Sequence, residues 1–219
     1  DCYTHYGPYM PGFQLIPYND LDALEKALEA NPDIAGFMVE PIQGEAGVVV
    51  PEDGYLKKAQ ELCHKHKALL IADEVQTGVG RTGKLFAYEW SDMIPDIISS
   101  AKGLGGGFPV GALLANEKAA SAIPAGMHGT TFGGNPLAMA AANAVLDEVL
   151  KPGFMDHVLE MSRLIIDGLE VIERKHPGFI EEVRGMGLLL GMKTKPANVD
   201  VVAKLREFNL LTVPAGDNV

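Results

Sequence analysis

The run Asp96-Ile-Ile-Ser-Ser-Ala-Lys-Gly-Leu-Gly-Gly-Gly-Phe-Pro109 decides how this chain is read. A short apolar segment gives way to a single lysine, Lys102, and then to glycines at 103, 105, 106 and 107. The apolar part is strand-like, so Lys102 stands where an ordered segment stops. The glycines permit backbone angles closed to other residues and let a ligand come close to the main chain. An amine at such a boundary can sit partly desolvated, which lowers its pKa and frees it for Schiff-base chemistry. A surface lysine beside a flexible turn has the same local pattern. The run therefore needs support from elsewhere in the chain.

That support lies upstream. Residues 68–72 form an apolar run that ends in Asp73-Glu74, and residues 34–39 form another that ends in Glu40-Pro41. With 94–100 and 110–115 they make four predicted strands, alternating with a helix capped at Asn19-Asp20 (Leu21, Leu24, Ala27 and Leu28 at helical spacing) and one over 53–66 (capped at Asp53). Apolar strands alternating with helices imply a mostly parallel α/β sheet with helices on both faces. Further helices are expected from Asn135 to about Leu150, Ala-rich and buried, then over 154–175 and 200–208. Residues 183–193 read as a glycine-punctuated strand pair, 210–213 as a last strand, and 217–219 as a hairpin turn. The change of character at Pro152 divides the chain into 1–151 and a smaller α+β unit over 152–219.

Bulk properties exclude several classes of function. The 219 residues are 47% hydrophobic and 21% charged, as in ordinary globular chains. A net charge of −11 argues against a nucleic-acid partner. No apolar run spans a bilayer, and the first residues have no signal-peptide pattern. Two cysteines, Cys2 and Cys63, give no disulfide framework, so a cytoplasmic setting is expected. Both ends read as cut from something longer.

Competing motifs fail on chemistry. Residues 78–84 match the start of a phosphate loop, but Leu85 stands where a magnesium-binding Ser or Thr is required. The glycines after Lys102 lack the last position of a dinucleotide fingerprint. Cys63, His64 and His66 do not share one helix face and read as a solvated helix end, so no metal site is expected.

Polar groups instead gather where successive strands stop: Glu40 and Glu45, then Asp73 and Gln76, then Lys102. In open α/β sheets, ligands bind at the carboxyl ends of strands. A strand-end lysine, a strand-end aspartate and the hydroxyl-bearing loop Gly129-Thr130-Thr131 fit pyridoxal phosphate. The lysine can link to its aldehyde, the aspartate can pair with its ring nitrogen, and the threonines can bind its phosphate.

Five segments carry a resemblance: Val39-Glu-Pro-Ile-Gln-Gly-Glu45, Ala72-Asp-Glu-Val-Gln-Thr-Gly78, Gly80-Arg-Thr-Gly83, Ser100-Ala-Lys-Gly103 and His128-Gly-Thr-Thr-Phe-Gly-Gly-Asn-Pro136. In this order they resemble the class III pyridoxal-phosphate aminotransferases, of the fold-type-I architecture. Within that family, Tyr6-Gly-Pro-Tyr-Met-Pro-Gly12, Ile16-Pro-Tyr-Asn-Asp20 and the stretch from Glu45 to Pro51 look more like ornithine aminotransferase. From Gly83 onward, Lys84-Leu-Phe-Ala-Tyr-Glu-Trp90 and Asn135-Pro-Leu-Ala-Met-Ala140 look more like bacterial acetylornithine aminotransferase, and this longer half sets the preference.

The resemblance implies roles. Lys102 would carry the cofactor as a Schiff base and, once freed, move the substrate proton. Asp73 would hold the ring nitrogen, Val75 would lie against the ring and Gln76 would bond the phenolic oxygen. Thr131, with Thr130 beside it, would reach the phosphate of a neighbouring subunit, which implies a homodimer with shared sites. Glu45 would pair with a substrate-binding arginine and swing aside for the second substrate, with Glu40 supporting it. The substrates would be N-acetylornithine (or ornithine) and 2-oxoglutarate, with glutamate as product, in the cytoplasm or, for a eukaryotic ornithine enzyme, the mitochondrial matrix. The family's phosphate-binding glycine loop and ring-stacking aromatic are expected before Asp1, and its substrate arginine after Val219. The segment alone is therefore expected to bind the cofactor poorly and not to transaminate.

Overall fold

The computed structural model describes residues 6–219, so Cys2 and the other residues of the 1–5 opening lie outside it. Helix α1 (Leu21–Ala30) starts where expected, because the Asp20 carboxylate accepts from the Ala23 amide at 2.8 Å. Strand β1 (Gly36–Val39) follows. Helix α2 (Tyr55–Lys65) is not capped by Asp53: its N-cap is Gly54 at φ +81°, with no side-chain cap. Glycine tolerates that left-handed angle, so the backbone rather than a side chain sets the start.

Strands β2 (Leu69–Asp73) and β3 (Ile97–Ser100) run parallel to β1, and β4 (Ala112–Ala115) runs antiparallel on β3, in the order β1-β2-β3-β4. Helices α1 and α2 cover one face, where Leu24, Leu28, Val39, Leu56, Ala59, Cys63 and Leu70 form a buried core. Each fully buried leucine there contributes roughly 1.5–3 kcal/mol. Cys63 corrects the sequence reading: it faces this core with no exposure, and burial pushes its thiol up to about 12. The helix end is solvated only at His64 and Lys65.

Strand β3 begins at Ile97 rather than Ile94 because Asp96 is committed to a knot. The Asp96 carboxylate accepts from the Leu70 amide at 2.8 Å and from Asn116 Nδ2 at 2.7 Å, and lies 2.9 Å from His64 Nε2. Only 6% exposed, it ties β2, α2 and the residue after β4 together. Burial alone would raise its pKa, but these hydrogen bonds outweigh it and hold the carboxyl below its ordinary value.

After the short helix α3 (Glu117–Ala120), α4 (Pro136–Val149) starts on an Asn135 side-chain cap, with Pro136 in its first turn. It is not buried as expected: only Ala138, Ala142 and Val149 are, and Leu137 is 66% exposed. Its inner side packs on the turn that follows Lys102, where a Cβ on Gly106 would stand 2.8 Å from Val145. Helix α5 (Phe154–Lys175) has the expected bounds. Strands β5 (Ile180–Met186) and β6 (Leu189–Thr194) form a separate antiparallel hairpin, followed by α6 (Asn198–Glu207).

Residues 210–213 are irregular rather than a strand, with Leu211 and Val213 exposed; no described strand lies beside them. Residues Gly216–Asn218 form a short 3-10 turn, with Asp217 and Asn218 both left-handed at φ 54° and 61°, and no described strand flanks it to make the expected hairpin. The hairpin tip rests on residues 80–83: the Leu188 amide donates to Arg81 O at 2.8 Å, and a Cβ on Gly187 would stand 2.5 Å from Thr82 Cα. The phosphate-loop-like glycines thus serve packing. Among the described residues, no helix is long and apolar enough to cross a membrane.

Candidate active site

The register of β2 on β3 pairs Asp73 with Ser99, so Asp73 and the Lys102 segment leave the sheet at the same edge, on adjacent strands. Asp73 is fixed there by its own surroundings. Its Oδ1 accepts from the Val75 amide at 3.0 Å and from Ser99 Oγ at 3.2 Å. Its Oδ2 has no hydrogen-bond partner among the described residues, which leaves one carboxylate oxygen for an incoming N–H. Ser99 has no part in the motifs; the signal that could have found it is its place in the register opposite Asp73.

The strand pleat sends the next side chain the other way. Glu74 is fully buried and accepts from the amides of Ala87 at 3.0 Å and Tyr88 at 2.8 Å and from the Thr77 hydroxyl. Burial pushes its carboxyl up, and the three donors oppose that only in part. Of the adjacent acids, Asp73 therefore keeps one carboxylate oxygen open and Glu74 holds the loop that follows.

The residues after β1 join this group. Gln76 Nε2 donates to Glu45 Oε1 at 3.1 Å, and Glu40 Oε2 accepts from the Gly44 amide at 3.0 Å. A Cβ on Gly44 would stand 2.3 Å from Gln76 Oε1, so only glycine lets that side chain lie where it does. Glu40, Glu45, Asp73, Val75 and Gln76 are thus brought into one neighbourhood by two strand ends.

Lys102 is placed differently. It opens the turn Lys102–Gly105 at φ 44°, in the left-handed region that non-glycine residues seldom adopt. Val79 (φ 56°), a β-branched residue for which that region is costlier still, lies beside this turn, 3.6 Å from where a Cβ on Gly103 would stand. Such outliers persist where surrounding structure fixes them and cluster at functional sites. Lys102 itself is exposed, so the partial desolvation expected from the sequence does not arise within these residues. Its Nζ makes no hydrogen bond or ion pair among them.

Thr130 and Thr131 are exposed on the loop before α4. Thr130 Oγ1 accepts from the Gly133 amide at 3.3 Å. No hydrogen bond links this loop to Asp73 or Lys102 among the described residues.

The donor set fits a group with an aldehyde and a basic ring nitrogen, since an uncommitted amine and an uncommitted carboxylate oxygen leave adjacent strands at one edge. A surface hollow of about 490 Å³ lined by Tyr18, Asp20, Glu52 and Lys58 contains none of these residues. Glu25, Glu29 and His66 approach one another within 4.8 Å between α1 and α2, but Lys65 already neutralises Glu25 at 2.7 Å.

The family described as Aminotransferase class-III matches residues 1–219. Acetylornithine aminotransferase of Mesorhizobium japonicum is 51% identical over 98% of this chain and 53% of its own length. The crystal structure of ornithine aminotransferase from Toxoplasma gondii superposes with a TM-score of 0.91 at 42% identity, over 99% of this chain and 52% of that one. Acetylornithine aminotransferase from Elizabethkingia anophelis superposes with a TM-score of 0.88 at 45% identity, over 96% and 54%. The chain spans about half the length of these relatives.

Proposed function

The chain belongs to the class III aminotransferases, and from that premise we propose that the protein it represents uses pyridoxal phosphate to move the terminal amino group of N-acetylornithine to 2-oxoglutarate, a step of arginine biosynthesis. The carrying observation is Asp73, pinned through Oδ1 with Oδ2 open, on the strand adjacent to the one that leads into Lys102. When bound, the cofactor supplies an aldehyde that takes up an amino group and a ring that accepts electron density.

The residues then divide the work. Asp73 Oδ2 accepts the ring N–H and keeps that nitrogen protonated. Lys102 Nζ anchors the cofactor and, when released, carries the proton at the reacting carbon. Gln76 would orient the ring oxygen, and Val75 would lie against the ring. Glu45, held by Gln76 in this structure, screens a substrate-binding cation for one substrate and swings aside for the other, with Glu40 bracing its loop through Gly44. Thr131 and Thr130 serve the phosphate of a second subunit in a homodimer; their exposure supports a role outside their own chain. Residues 1–151 form part of the cofactor-binding domain and 152–219 the start of a smaller one; the separate β5–β6 sheet supports that division.

Ornithine is the second reading, because the relatives superposing on this chain include an ornithine aminotransferase. Glutamate formation by the complete protein, with each amine in turn and 2-oxoglutarate, separates the two. A higher kcat/KM for N-acetylornithine is expected. A higher value for ornithine would move the assignment to the second reading, and no transfer from either would overturn both.

A further inference from the structure

The 44–48 loop that carries Glu45 is held from the far end of the chain. Arg184 Nε on β5 donates to Gly47 O at 2.8 Å, and the Gly216 amide donates to Glu45 O at 2.8 Å. The contact is close: a Cβ on Gly47 would stand 2.4 Å from Gly216 O, and one on Gly191 of β6 would stand 3.0 Å from Val48 Cγ2. The guanidinium is itself fixed. Its side chain is 17% exposed, with Nη2 3.0 Å from Asp217 and Nη1 3.1 Å from Glu182, and Asp217 is held in turn by Lys193 at 2.7 Å. A charge-assisted bond from a group anchored this way fixes its acceptor more firmly than a neutral one would.

We infer that Arg184 is a positioning residue for Glu45: from the C-terminal hairpin it clamps the 44–48 backbone, so that only the Glu45 side chain moves between its contact with Gln76 and its withdrawn state. The inference rests on the substrate-facing role proposed for Glu45. Two features of the loop give the clamp its purpose. The first is that Val48 sits at φ 52°, a conformation its branched side chain leaves unless neighbours enforce it. The second is that the loop closes on itself through the Gln43–Val49 pair, at 3.0 and 2.8 Å, and through the Gly47 and Val48 amides, which both donate to Gly44 O at 3.0 Å, whereas the carbonyls of Glu45 and Gly47 at its tip find their partners, among the described residues, only in Gly216 and Arg184. Without Arg184 the tip relaxes, Glu45 loses its register with Gln76, and the balance between the amino-donor and oxo-acid half-reactions shifts.

The test uses the complete protein loaded with pyridoxal phosphate, each half-reaction being followed alone by cofactor absorbance. Arg184→Gln is expected to change the ratio of the two kcat/KM values on the order of tenfold, the ordinary size of a coupling between groups. Arg184→Lys and Asp217→Asn should fall between it and the parent. In a Glu45→Gln background, Arg184→Gln should leave the ratio unchanged, because the residue through which it acts is gone. Amide exchange at Gly47 and Val48 should quicken on the order of tenfold, as for loss of one charge-assisted hydrogen bond, while Leu70 in the core keeps its rate. Equal loss in both half-reactions, a ratio change that survives in the Glu45→Gln background, or unchanged exchange at Gly47 and Val48 would each overturn the proposal. Failure of the aminotransferase reading would look different, since the parent protein itself would lack transfer; the exchange rates alone would then decide whether the clamp exists.

Discussion

The two sides of the candidate site leave adjacent strands of one sheet, yet they are built in opposite ways. On the Asp73 side the polar groups hold one another: Ser99 and the Val75 amide on Oδ1, Gln76 on Glu45, Gly44 on Glu40, and three donors on buried Glu74. On the Lys102 side the amine is exposed, and the backbone at Lys102 is in a disfavoured region. The first side is assembled by contacts within a few strand ends. The second presents reactive groups whose surroundings are supplied, in the proposal, by cofactor and a second subunit. In that proposal rigidity lies where a ring would be oriented, and accessibility where a covalent bond would form and break.

Substitutions can sharpen that contrast or break it. The largest effect is expected at Lys102. In the complete protein, Lys102→Ala should lower transamination by on the order of 10⁴-fold or more. An exposed side chain without partners should meanwhile leave the unfolding free energy within about 0.5 kcal/mol. A large fall in stability would mean that the open side is part of the fold.

Glu74→Ala should do the reverse. It strands the Thr77 hydroxyl and the Ala87 and Tyr88 amides in the interior. Denaturant unfolding should report a loss of about 3 kcal/mol, with cofactor absorbance retained in the molecules that remain folded. A stable variant with no absorbance would place Glu74, not Asp73, in the chemistry.

A smaller effect is expected at Asp96, which stands at the start of the strand that leads to Lys102. Hydrogen bonds hold its folded pKa below the ordinary value despite burial. The stability it contributes is therefore present above the unfolded carboxylate pKa, about 3.9, and is lost as pH falls through the lower folded value. Asp96→Asn should cost about 1–2 kcal/mol near neutrality and should flatten this part of the acid loss when unfolding is followed against pH. An unchanged acid limb would remove Asp96 from the knot.

The same contrast explains what could be read in the sequence. Local chemistry was legible: Asp20 and Asn135 cap their helices, Pro152-Gly153 separates α4 from α5, and apolar runs ending in Asp73 and before Lys102 become neighbouring strands. What depended on distant partners was not. Residues 210–213 have strand-like composition but no described strand to pair with, and the helix after Asp53 starts on a left-handed glycine. The apolar residues of α4 gave no sign that so many would lie exposed. Asp73 and Lys102 are proposed from strand-end position and do leave neighbouring strands, whereas the contacts of Ser99 and Arg184 span 26 and 137 residues of chain, where no local spacing points to them.

The most direct test of the site is borohydride reduction of the complete protein with pyridoxal phosphate, followed by peptide mapping. The expected result is a single phosphopyridoxyl group on Lys102, lost when excess amino donor is added before the reductant. A label on another lysine, or none in a protein that still transaminates, would contradict the assignment of Lys102 and with it the pairing of that amine with Asp73.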